Sequence, residues 1–367
     1  MWYLIILLFA FVFAYRYKLS QWNNHYKLLY VILCIANILI FGLRYKVGGD
    51  TTIYMEMYER ATSLNKLTLF SFIDNTAAPL FIIVMSVFKS FTNDYIYWQF
   101  FHSLFLNICV FVFLHKHALN PFLAFIFFFY VVGLYFNTET LKESSAIAIF
   151  LLNYENVIRK KWIRYYVITI LSIGCHYGAL ILLFIPFFSQ LKISWKLFVY
   201  VLLYMFLVSY VVDYIFANFP YVMLAERASD YAGATEHLSV NYTLMLIIKY
   251  VLIPSALLLI NKRHNISQNR VLEPMVCLYL FMGLGGIYYK GVFERWSNYF
   301  ALFFFAYLAN VLTTLNKKEK VVAIMIWFLV ITPYAYEYSG PIMKRWLPYY
   351  SVLDKDSYRE RMIDDEL

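Results

Sequence analysis

The run WIRYYVITILSIGCHYGALILLFIPFF, Trp162 to Phe188, decides how the chain is threaded. It is either one long tilted helix or two short ones broken at Gly174-Cys175-His176-Tyr177-Gly178. Basic residues flank it, with RKKWIR (Arg159 to Arg164) at its start and Lys192 and Lys196 beyond its end. Short loops rich in Lys and Arg stay on the cytoplasmic side of a membrane. Both clusters then share one side, the number of crossings between them is even, and the segment descends, turns and returns. Each arm has about 14 residues, roughly 21 Å of helix, short of a hydrocarbon core of about 30 Å. A broken pair satisfies this parity better than a single helix does. Irregular backbone at membrane depth persists only when it is buried in protein or lines a wet cavity. His176 stands at that break, and the plain alternative for it is a packed core histidine donating to a backbone carbonyl.

The composition agrees with a chain that lives in lipid. Hydrophobic residues make up 62% and charged residues 14%, and the mean hydropathy is +0.63, far from an average soluble domain. Thirty-five Phe and thirty-five Tyr exceed two interfacial belts, so many rings must line helix contacts or a cavity. Cys34, Cys109, Cys175 and Cys277 all fall in apolar runs, and no disulfide framework is implied. The first run, MWYLIILLFAFVFAY, lacks a basic n-region and a small-residue cleavage site and reads as the first span. Further spans are expected near 28–43, 95–114, 121–136, 144–158, 195–217, 241–260, 271–290, 296–315 and 321–338. The run Ala77 to Phe88 is short for a span and is expected to be re-entrant or interfacial. The expected fold is an all-α polytopic membrane protein with about 11–13 transmembrane or re-entrant helices. Residues 1–338 form a single transmembrane domain, and 339–367 form a short extracytoplasmic tail whose end, ERMIDDEL, reads as solvated.

Parity also sorts the loops. The inner set carries Arg16, Lys18 and Lys27, then RKKWIR, then Lys192 and Lys196, then NKRHNISQNR (Asn261 to Arg270) and NKKEK (Asn316 to Lys320). The outer set comprises LRYKVGGDTTIYMEMYER (Leu43 to Arg60), NTETLKESS (Asn137 to Ser145), the loop Asn218 to Val240, and YYKGVFERWSNY (Tyr288 to Tyr299). Each outer loop brings a cation beside a span end: Arg44 and Lys46, Lys142, Arg227, then Lys290 and Arg295. One such cation alone is explained by snorkelling to headgroup phosphates; a gathered set points to an anionic ligand. Other chemistries find no support, since there is no Walker-type loop, no His-Glu-x-x-His and no Cys-x-x-Cys. HKH, His115 to His117, is a weak metal signal because residues two apart leave a helix on different faces, and it reads as a loop edge. The net charge of +9 needs no nucleic acid, because the cytoplasmic clusters account for much of it.

Taken in order, GLRYKVGGDTTIY, ETLKESSAIAIFLL, GCHYGALILLFIPFF and FERWSNYFALFF resemble the EpsG/Wzy group of exopolysaccharide and O-antigen polymerases, from about Arg44 to Phe305. An arginine is usual in that family where this chain has Lys142; lysine keeps the charge but lacks the bidentate fork suited to phosphate. The resemblance implies a glycosyltransferase of the GT-C type in the bacterial cytoplasmic (inner) membrane, its active site facing the periplasm or cell exterior. It would polymerise undecaprenyl-pyrophosphate-linked oligosaccharide repeat units into O-antigen, capsule or exopolysaccharide. No cofactor is implied, and a separate protein would regulate chain length.

A lipid pyrophosphate has a charged head and an apolar tail, which suits outward-facing cations above aromatic-lined helices. Arg44, Lys142 and Arg295 are the candidates to bind the pyrophosphate, and His176, Asp50 and Glu56 to take the acceptor hydroxyl's proton. His176 has a suitable unperturbed pKa of about 6.5. Asp50 follows Gly48-Gly49, where backbone can approach a ligand. For both acids the plain alternative is pairing with Arg44, Lys46 or Arg60. A lipid-linked oligosaccharide flippase would use the same cations but should show two related halves, and none is visible. An outer-leaflet ligase would share nearly the whole site and differ in its acceptor. A membrane acyltransferase gives less reason for outward cations.

Overall fold

The break at His176 is a hairpin. Trp162–Cys175 is a helix of 14 residues, His176 is extended at φ −156° and ψ 126°, and Tyr177–Phe184 continues as a tight 3-10 run. The hydroxyl of Tyr165 donates to the Leu182 carbonyl at 2.6 Å, and that of Tyr166 to Leu183 at 3.4 Å. Residues near the end of the run therefore lie beside the start of the helix, so the chain does turn back at the histidine.

The computed structural model describes residues 2–16, 23–73, 77–189, 247–286, 290–316, 318–321 and 345–354, with single positions at 200, 203, 204, 207, 244 and 324. The spans expected at 195–217 and 321–338 lie almost wholly outside them, and the loop 218–240 with Arg227 lies wholly outside. All regular elements among the described residues are helical, and the chain is an all-α polytopic membrane protein. Three of its described helices are long and apolar enough to cross a membrane: Asn24–Gly42, Tyr95–His117 and Pro121–Thr138.

The chain divides into two compact units, one built from residues 1–183 with 335–367 and the other from 184–334. In the first, the helices are α1 (Trp2–Arg16), α2 (Asn24–Gly42), α3 (Thr51–Arg60), α4 (Pro79–Lys89), α5 (Tyr95–His117), α6 (Pro121–Thr138), α7 (Leu141–Ile158) and α8 (Trp162–Cys175). Local chemistry sets their starts. Asn23, Asp94 and Asn120 each cap a first turn through the side chain, satisfying a donor that has no intrahelical partner. Leu28, Val31, Ile32, Ile35 and Leu39 form one exposed apolar stripe on α2, whereas its Asn37 is buried. That inverted pattern suits a lipid-facing helix with polar contacts inside. Asn37 donates to Asn107 at 2.6 Å and Asn107 to Asn137 at 2.8 Å, linking α2, α5 and α6 by side-chain amides as polar residues do between membrane helices.

Three stretches differ from the sequence expectation. HKH is not a loop edge but the last turn of α5, because nothing breaks that helix before Ala118. His115 is exposed and His117 buried, and Lys116, His117 and Arg159 surround Glu155 at 2.7, 3.7 and 3.5 Å. The stretch expected as an outer loop at 288–299 is helical from Lys290 onwards, since its side chains include no interior breaker. α4 has 11 residues, roughly 16 Å, well short of a membrane core of about 30 Å. Its C-terminal end comes back to α3, where Tyr58 donates to the Thr92 carbonyl at 2.9 Å.

The second unit holds α9 (Ile253–His264), α10 (Glu273–Gly285) and α11 (Lys290–Thr314). Tyr279 of α10 stacks on Phe304 of α11 with centroids 4.8 Å apart, and Asn310 donates to Asn269 at 2.8 Å.

Candidate functional site

One end of the first unit collects the chemistry. Leaving α2 after Gly42, the chain turns through Leu43 to Asp50 before entering α3. Arg44, 1% exposed, ties this turn: its Nη1 donates to the Phe41 carbonyl at 2.6 Å and its Nε to Val47 at 3.2 Å. Its Nη2 has no hydrogen-bond partner. Among the described residues no carboxylate pairs with it; its electrostatic neighbours are the rings of Tyr95, Tyr3, Tyr349 and Tyr54. Burial lowers its pKa from the ordinary guanidinium value.

Gly48 has φ +110°, and a Cβ there would sit 2.5 Å from Thr138 Cβ, so this position needs glycine for both conformation and space. The turn it makes carries Gly49 N–H to Glu139 Oε1 at 3.3 Å. Glu139 is 5% exposed and its other oxygen accepts from Arg345 Nη1 at 3.2 Å. Burial raises the Glu139 pKa, Gly49 and Arg345 pull it back, and the nearby charge of Asp50 adds to the rise. Asp50 is half-buried at the head of α3, where its carboxylate makes no capping bond. The Tyr54 hydroxyl faces the backbone N–H groups of Lys142 and Leu141 in the first turn of α7, so Lys142, half-buried, belongs to the same end.

His176 reaches this level as well. Asn153 of α7 donates to the Tyr165 carbonyl and to Thr169 of α8 at 2.9 and 3.2 Å, which fixes the register of two antiparallel helices. Counting outwards from that contact puts Lys142 and His176 within about one helical turn, ~5 Å, of the same height. His176 is partly exposed.

Two candidates lie apart from this group. Glu56 is 61% exposed and pairs with Arg60 one turn further along α3 at 3.2 Å, the plain pairing. Arg295 stands in the second turn of α11, half-buried, in the second unit. Among the described residues, no three or more His, Cys, Asp or Glu side chains are placed to hold a metal ion.

The sequence reasoning missed Glu139 and Arg345. Arg345 belongs to a stretch expected as a tail, yet residues 345–352 run along the first turn: Gly48 N–H donates to the Arg345 carbonyl at 2.8 Å, Tyr45 to Tyr350 at 2.9 Å, and Val352 to Leu43 at 2.9 Å. Side chains add Trp346 Nε1 to Thr138 Oγ1 and Tyr349 to the Ile40 carbonyl, both at 2.9 Å. The one local signal is the composition of RWLPYYS, Arg345 to Ser351, too aromatic for a solvated tail.

No curated protein and no solved structure matches the chain. The EpsG family model matches residues 27–351, which takes in the first turn, the His176 hairpin and the C-terminal strap. With most of its length covered by that match, the chain belongs to the EpsG family.

Proposed function

We propose that the protein is a polysaccharide polymerase of the bacterial cytoplasmic membrane that joins undecaprenyl-pyrophosphate-linked oligosaccharide repeat units at the outer face. Membership of the EpsG family supports a polymerase of exopolysaccharide biosynthesis. The observation that supports the anionic lipid donor most is Arg44. A buried guanidinium without a carboxylate beside it is costly, and a phosphate reaching its uncommitted Nη2 would lower that cost.

The acceptor hydroxyl attacks the anomeric carbon of the donor sugar. The bond from that carbon to the pyrophosphate oxygen breaks, and its electron pair leaves with the pyrophosphate. Arg44, Lys142 and Arg295 stabilise the growing charge on the leaving group. Two groups are suited to take the hydroxyl proton: His176 at the hairpin and Asp50 at the head of α3. The donor arrives already activated, so the reaction needs neither nucleotide nor metal.

The glycan ladder of cells lacking the protein tests this. Single repeat units on lipid at the outer face are expected. Full-length polymer retained on its lipid would instead mark a ligase, and repeat units trapped at the inner face a flippase.

A further inference from the structure

We propose that Arg345 is a further anion-binding residue at this end of the molecule, and that Glu139 is its resting counter-ion, which an arriving diphosphate displaces. The assignment rests on the polymerase reading for its ligand.

The pair is unequal. The Arg345 side chain is 47% exposed and that of Glu139 only 5%, so the cation stands in front and the carboxylate behind. Only one guanidinium nitrogen, Nη1, is engaged by Glu139, at 3.2 Å, which leaves the other donors of the fork for a second anion. Gly49 lets the group lie close against the turn: a Cβ at that position would sit 2.9 Å from Arg345 Cδ and 3.0 Å from its Nη1. The backbone of the first turn thereby presents the guanidinium beside Asp50 and the first turn of α7, where Lys142 stands.

A simple anchor would look different. Three backbone hydrogen bonds, together with Trp346 and Tyr349, hold the strap without Arg345. A half-exposed ion pair adds little to such a framework. When the guanidinium turns to a diphosphate, Glu139 keeps the Gly49 N–H, so the exchange leaves that carboxylate with one donor. Glu139 thus competes with the ligand for Arg345, whereas in an anchor the two would act together.

The competition gives opposite signs in a binding measurement. Full-length protein in phosphatidylcholine nanodiscs is titrated with undecaprenyl pyrophosphate. Arg345→Ala should weaken binding about tenfold or more. Glu139→Gln, nearly isosteric, should tighten it by about threefold, and the double variant should match Arg345→Ala alone. Inorganic pyrophosphate should compete weakly; competition at equal strength would overturn the lipid part of the assignment. Weaker binding in Glu139→Gln, or unchanged binding in Arg345→Ala, would overturn the whole of it, and the sign for Glu139→Gln decides even if Arg345→Ala fails to fold. A wild type that shows the expected binding pattern yet makes no polymer would overturn the polymerase reading and leave Arg345 standing.

Discussion

Arg44 shows how far a single residue can be read. From sequence it is a cation after a span, equally suited to snorkelling and to ligand binding. In the structure it does neither simply: two nitrogens hold the carbonyls of Phe41 and Val47 and shape the turn, while the third is uncommitted. Such a residue mixes structural and binding roles, so its substitution alone would not separate them. Lys142 is the cleaner probe, because its stem leaves the first turn of α7 and its removal breaks no turn. Lys142→Arg should keep activity in a polymerisation assay, since it restores the residue usual in the family. Lys142→Glu should abolish polymer by repelling the pyrophosphate while the protein still folds, and normal polymer there would remove the residue from the site. Asp50 and Lys142 were legible because glycines and span ends flank them. Glu139 was not, since its role depends on Gly49, ninety residues away by hydrogen bond.

At the scale of elements, the helices of the first unit follow from apolar runs and their caps, and the hairpin at His176 follows from charge parity. What escaped was the fine form: the 3-10 return at Tyr177–Phe184, the extension of α5 through HKH, and the helical start of α11 at Lys290. Periodicity does not distinguish a polar helix end from a loop, and a solvated turn of helix reads as either. The hairpin makes a prediction about its own tip. His176→Ala, His176→Gln and His176→Asn separate three roles because the amides donate hydrogen bonds but cannot act as bases near neutral pH. With His176 as the base, all three variants should fold and bind substrate yet lose turnover by about a hundredfold or more. Retained turnover in the amide variants alone would make it a phosphate donor. Full activity of folded His176→Ala would return it to the packed core.

For the molecule as a whole, fold class and membrane character were plain in composition, and the family resemblance followed from four short motifs. The strap was invisible for a physical reason. Residues 345–352 pair with 40–49 through contacts separated by some three hundred positions, and a short irregular segment has no period to announce them. Its placement makes the first turn a two-sided structure, closed by the chain's own late residues over the glycines that approach Glu139. The central claim is that this protein joins lipid-pyrophosphate-linked sugars without other input. Purified full-length protein in proteoliposomes, given undecaprenyl-pyrophosphate-linked repeat units as the sole substrate, tests it most directly. The account predicts a ladder of lengthening glycan with release of undecaprenyl pyrophosphate. Repeat units that cross the bilayer but stay single in length would contradict it.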